Sequence, residues 1–199
     1  MKVPVEEFFS IAVTAIFVQN LVMVYMLTSN VFFKVLRKPS SGIMYGVLVT
    51  ISTTAASLLA WLLNRFVFKE FGFDYLAPFA FIFVIVFIEI AIELILMKFA
   101  PNLRRDIGSL LPASAFNCAV LGLVFINIKI NTRGILGTTF YGFCAGLGFV
   151  LALFIAANAM ERVGYSTPPR AFKGLPIAFI TASLISLAFM GFTGIRIPF

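Results

Sequence analysis

Six times along this chain, a run of roughly twenty residues passes with almost no charge, about the length an α-helix needs to cross the hydrocarbon core of a bilayer. That repetition fixes the class. Lipid cannot satisfy a backbone N–H or C=O, so such segments fold as helices that close their own hydrogen bonds. The predicted spans cover residues 8–27, 43–63, 76–97, 107–128, 135–159 and 175–192. The expectation is an all-α polytopic membrane protein, six transmembrane helices forming one membrane domain over residues 1–199. With 61% hydrophobic and 12% charged residues, the formal charge of +7 falls in short connections. Membrane topology accounts for that basic balance, and no nucleic-acid partner is expected. Nor is a cleavable leader, because Lys2, Glu6 and Glu7 precede the first run and no small-residue cleavage site follows it.

Orientation follows from the basic residues. The connections after the first, third and fifth spans hold Lys34, Arg37, Lys38, Lys98, Arg104, Arg105, Arg162, Arg170 and Lys173; the other side holds Lys2, Arg65, Lys69, Lys129, Arg133 and Arg196. The richer side is assigned to the cytoplasm, which puts both termini outside.

The two halves of the chain match each other. Tyr45-Gly46 aligns with Tyr141-Gly142 at a shift of 96 positions. At the same shift Gly42, Gly46 and Thr50 fall on Thr138, Gly142 and Gly146, small residues at every fourth position that let helices approach closely. Pro78-Phe-Ala-Phe-Ile82 matches Pro176-Ile-Ala-Phe-Ile180, and Asn20 falls close to Asn117. Three spans is an odd number, so a second copy enters the membrane from the opposite face. The expected arrangement is a three-plus-three inverted repeat, residues 5–98 and 107–196, with functional groups near the midplane on interrupted helices.

Within the spans, the polar residues are the costly ones. Asn117 needs protein, a cavity or a cofactor to face, and Cys118 beside it is expected to point inward with it. Two readings are open: an amide that bonds across helices beside a small buried thiol, or a thiolate that binds a metal. Pro112 either interrupts the fourth span or only kinks it. Glu89 and Glu93 share one face of the third span; with Asn20 they mark a candidate ion path, though Glu93 also suits a plain interfacial position near Lys98. Cys144, among Gly142, Gly146 and Gly148, reads as a packing residue, and a structural disulfide is not expected. Histidine is absent, and with it the commonest metal ligand.

Four stretches carry a resemblance to a known family. Residues 105–122 (RDIGSLLPASAFNCAVLG) resemble the segment LGxxLPxxxxNCAVLG of a membrane-subunit family. It comprises the A subunit of Rnf complexes and the E subunit of sodium-translocating NADH:quinone oxidoreductase. Residues 19–24 (QNLVMV), 141–143 (YGF) and 172–194 (FKGLPIAFITASLISLAFMGFTG) agree with the same family, so the similarity spans nearly the whole chain. The Ala-Val-Leu-Gly after Cys118 favours the A type, and Glu93, not Glu89, falls where the family has a glutamate.

The resemblance implies a six-span subunit in a prokaryotic cytoplasmic membrane, paired with a homologous subunit of opposite topology. Together the two would share an intramembrane 2Fe-2S cluster that passes electrons across a sodium- or proton-translocating electron-transport complex. It makes Cys118 a cluster ligand, with Asn117 beside it. Where the family's other cysteine belongs, in an LGxCPF motif, residues 27–32 read LTSNVF and place Asn30; asparagine is a poor iron ligand next to thiolate. No Gly-rich dinucleotide fingerprint is present, so flavin and nucleotide chemistry would belong to other chains. Two other readings stay open: an inverted-repeat ion transporter without a redox centre, in which Asn20, Asn117 and Glu89 bind the ion, or an assembly subunit that docks through its small-residue faces.

Overall fold

The computed structural model describes residues 5–27, 39–68, 74–99, 117–129, 134–165, 169 and 172–193, and the described residues are almost entirely helical. Asn30 and Pro112 lie outside them. Six α-helices follow in order: α1 (Val5–Val13), α2 (Pro39–Leu63), α3 (Ala77–Phe99), α4 (Cys118–Lys129), α5 (Ile135–Tyr165) and α6 (Leu175–Thr193). Among the described residues, four segments are long and apolar enough to cross a membrane: Ile43–Phe68, Ala77–Lys98, Ile135–Tyr165 and Leu175–Phe192. The chain is an all-α polytopic membrane protein.

The first span differs from expectation. Instead of one helix over 8–27, α1 widens into a π-helical turn at Thr14–Val18 and stops. The Gln19 N–H closes that turn on Thr14 O at 2.7 Å, and a single new turn begins at Asn20. Asn20 O accepts from Val24 N (3.1 Å) and Tyr25 N (3.3 Å), and Leu27 N bonds back to Leu21 O at 3.0 Å across Met26, whose φ is 51°. A left-handed residue with a six-residue back-bond is the usual stop of a helix, here taken by methionine instead of glycine. Hydropathy could not register this break, because the apolar run continues straight through it. Farther along, α4 begins at Cys118 with Asn117 just outside the helix, and residues 107–116 of the predicted fourth span lie outside the described residues.

The centre of the bundle is the packing of α2 on α5, the most extensive contact between helices. Its register is antiparallel. Gly46 meets Val150, Gly146 meets Thr50, and Gly142 meets Thr53 and Ser57. A Cβ placed on Gly146 would lie 2.6 Å from the Thr50 Cα, so backbone itself fills the space a side chain would need. Thr50 in turn returns its hydroxyl to Gly46 O at 2.8 Å, which meets its own polar atom within the helix it packs from. Burial follows from this centre: 61% of the apolar window of α5 is buried in the chain, against 22% for α3 and 17% for α6. The outer helices therefore present most of their apolar surface to lipid or to other subunits.

Gly146→Ala is expected to force α2 and α5 apart and to lower stability by about 1–3 kcal/mol, the usual scale of overpacking. Gly164→Ala, on the same helix but with nothing within 4 Å, should be neutral or slightly stabilising. Thermal denaturation of the two variants in one detergent checks the contrast.

Candidate functional site

The break in the first span and the start of α4 are both closed by asparagine side chains. Asn20 is fully buried. Its Oδ1 accepts from Val22 N and Met23 N at 3.0 Å each, while Nδ2 donates to Ile16 O and to Gly148 O at 2.9 Å each. It satisfies free N–H groups of the new turn as an N-cap does, and it ties the break to α5. The close approach depends on Gly148, whose bare Cα sits against the backbone of Ala15 and Ile16. Asn117 does the same for α4. Its Oδ1 accepts from Ala119 N at 2.9 Å, and its Nδ2 donates to the Tyr45 hydroxyl on α2 at 3.0 Å.

The tyrosines make the pattern reciprocal. Tyr45, on α2, holds Asn117 at the start of α4; Tyr141, on α5, donates its hydroxyl to Gln19 Oε1 at the break before Asn20. Ser186 on α6 adds a hydrogen bond to Met23 O. Both tyrosines are buried. Their pairing at a constant sequence shift was legible, but their hydrogen-bond partners were not. A buried tyrosine usually finds a partner for its hydroxyl, and that was the available signal.

Around Asn117 the structure gathers three of the six sequence-predicted residues: Asn117 itself, Cys118 and Glu89. Glu89, 5% exposed, accepts a hydrogen bond of 2.7 Å from Ser52 Oγ on α2. Glu89 and Cys118 both lie within electrostatic reach of the Tyr45 hydroxyl. Tyr45, Ser52, Glu89, Asn117 and Cys118 thus share one region where α2, α3 and α4 meet. Ser52 carries no signal in the sequence, since a serine inside a span usually bonds to its own helix. Glu93, one turn beyond Glu89, is half-buried. Asn20 stands apart, on the α1–α5 side.

Cys118 points the other way from expectation. It is the first residue of α4, and its side chain is exposed while Asn117 next to it is 4% exposed. The helix cap explains the split: Asn117 turns its amide inward to hold the turn, and the next side chain emerges on the opposite side. Cys144, by contrast, is buried in the core of α5. Among the described residues no group of three or more His, Cys, Asp or Glu comes together to hold a metal. A metal centre at Cys118 would need ligands from elsewhere.

A membrane bundle with two asparagine-capped helix starts and a surface cysteine at one of them defines the class of the protein, and comparison with known proteins supplies the family. Residues 8–196 match the family described as Rnf-Nqr subunit, membrane protein. The chain is 40% identical over 178 residues to the A subunit of the ion-translocating oxidoreductase complex from Azoarcus sp. (strain BH72), covering 89% of this chain and 92% of that protein. It is 37% identical over 193 residues to the protein of the same name from Vibrio cholerae serotype O1, covering 97% and 90%. The counterpart from Sodalis glossinidius is 40% identical over 180 residues, covering 90% and 93%. The chain belongs to the Rnf-Nqr subunit family.

Asn20→Ala removes four hydrogen bonds at once, with Val22 N, Met23 N, Ile16 O and Gly148 O, whereas Asn117→Ala removes two, with Ala119 N and the Tyr45 hydroxyl. Each unmade buried bond costs about 1–3 kcal/mol, so Asn20→Ala is expected to lower the yield of folded chain more. Size-exclusion profiles of the two variants, expressed side by side, give the order.

Proposed function

We propose that this chain is the A-type membrane subunit of an Rnf-like, ion-translocating electron-transport complex, with Cys118 as its ligand to an iron–sulfur cluster held jointly with a homologous subunit. The observation that carries the reading is the exposed sulfur of Cys118 on an otherwise apolar membrane bundle. A cluster wholly inside the chain would need several ligands close together, and the described residues offer none. A shared cluster needs an outward-facing cysteine, so the residues present fit the group as one part of a ligand set completed by a partner. A bound two-iron two-sulfur cluster supplies a one-electron relay within the membrane. This chain's own share is positioning: Asn117 caps α4, Tyr45 anchors Asn117, and the backbone that presents Cys118 is thereby held. Asn30, at the place of the family's other cysteine, is the next residue to examine as a cluster neighbour.

The inverted-repeat reading has support of the same kind. Thr50 and Gly146 are 96 positions apart in sequence and touch each other, as residues on a two-fold axis must. Antiparallel α2 and α5, two asparagine caps and two reciprocal tyrosines fit the same operation. Under this reading the homologous partner has opposite topology, the complex sits in the cytoplasmic membrane, and both termini lie outside. Glu89, a buried carboxylate in a membrane span, is the charged group best placed for an ion or proton path; Glu93 lies one turn nearer the helix end, and Asn20 serves the fold of the first break.

Dithionite-reduced parent complex, purified with and without Cys118→Ala, tests the redox assignment by low-temperature electron paramagnetic resonance. Loss of one two-iron signal, with the subunits still assembled, is the expected result. Identical spectra and iron content would instead favour an ion-conducting or assembly role.

A further inference from the structure

Helices α2 and α3 run antiparallel. Ser52 meets Glu89, and farther along a π-helical turn at Asn64–Phe68 continues α2 and sets Phe68 against Phe81, ring centroids 5.7 Å apart. Between these two contacts the helices leave a groove of about 770 Å³. Leu59, Leu63 and Phe66 line one wall, and Phe83, Val86 and Ile90 the other. Every residue that lines it is apolar. Phe66, Phe83 and Ile90 are nonetheless more than half exposed, so the described residues of the chain do not fill the groove themselves.

The groove has a direction. Its wall from Leu59 to Val67 rises about 12 Å along the helix, close to the roughly 15 Å of hydrocarbon in one leaflet, half of a core about 30 Å thick. At the inner end Ile90 adjoins the buried Glu89. At the outer end stands Arg65, exposed in the π-helical turn. Arg65 follows Leu62 by one turn and directly precedes Phe66, so its side chain starts beside two lining residues. This polarity selects the occupant. A transmembrane helix of another subunit would need an apolar strip across both leaflets, whereas the lining here ends at Leu59 and Ile90. An acyl chain needs one leaflet's depth only, and the phosphate at its head pairs with a guanidinium at the interface. A zwitterionic headgroup brings its own cation toward the arginine, which favours the anionic class.

We propose that the α2–α3 groove holds one acyl chain of an anionic phospholipid whose phosphate pairs with Arg65. The site is independent of the redox reading of Cys118. It would make the lipid an integral part of the α2–α3 packing on the far side of α3 from solvent-filled surroundings, where the outer helix is least covered by its own chain.

Native mass spectrometry of the purified parent complex, titrated with phosphatidylglycerol and with phosphatidylcholine of the same chain length, tests the proposal in wild type, Arg65→Gln and Val86→Phe. Wild type is expected to hold one phosphatidylglycerol more tightly than phosphatidylcholine. Arg65→Gln should weaken that site about fivefold, the effect of one basic residue at an anionic headgroup, and leave phosphatidylcholine unchanged. Val86→Phe places a ring in the groove and should remove the site for both lipids. Arg65→Gln changes an exposed side chain, so it decides alone if Val86→Phe fails to assemble. Unchanged phosphatidylglycerol binding in Arg65→Gln, or an equal loss of both lipids, would overturn the assignment. Unchanged lipid binding in both variants, with other subunits lost from Val86→Phe, would overturn it in favour of a protein helix in the groove.

Discussion

A helix that begins inside a membrane exposes backbone N–H groups where no water can meet them, and the rest of this structure depends on how that cost is met. At the restart after the first break and at the start of α4 the answer is an asparagine. Its side chain offers an acceptor to the orphan amides and donors to a neighbouring helix, so one residue starts a helix and docks the junction. Asn20 uses all of this capacity within the protein: two amides accepted, two carbonyls met. Asn117 commits part of its capacity to α4 and part to Tyr45. The second arrangement is the lighter one, and it lies where the exposed cysteine emerges.

Both junctions can be docked only because α2 and α5 run close together. Gly46, Gly142 and Gly146 remove side chains along that crossing, and Gly148 lets the turn before Asn20 reach the carbonyl it bonds. Close packing in a bilayer draws no help from hydrophobic exclusion, since lipid tails are as apolar as leucine; dispersion contacts and a few internal hydrogen bonds do the work. The same crossing positions Tyr45 over α4 and Ser52 beside Glu89. A buried carboxylate with a serine donor, a capped helix start and a surface thiol are thus consequences of one helix pair.

Much of this was legible in the sequence, for reasons that also mark where reading stops. Apolar run length gave the helices of α2, α3, α5 and α6 within a few residues, because bilayer thickness constrains it directly. Asn117, Cys118 and Glu89 stood out because polar atoms are costly in lipid. The direction of Cys118 did not follow, since a residue facing a partner subunit and one facing the core are equally apolar in context; only the cap geometry at Asn117 separates them. The break at Asn20 was invisible to hydropathy, which measures side chains and not backbone continuity. Ser57 and Asn127 carry no such mark, because small polar residues in spans are common and usually bond to their own helix. That Ser57 Oγ and Asn127 Oδ1 are buried with no hydrogen-bond partner among the described residues emerges only once α2, α4 and α5 are set side by side.

The central claim is that Cys118 belongs to an interface between this chain and a partner, and a membrane-permeant maleimide measures that most directly. Cysteine modification is mapped by mass spectrometry in the intact complex and in the chain dissociated from it in mild detergent. Cys118 is expected to be protected in the complex and modified after dissociation, while Cys144, buried in the core, stays unmodified in both. Equal modification of Cys118 in the assembled and dissociated states would contradict the account, because a sulfur free to react in the complex is neither covered by a partner nor bound to iron.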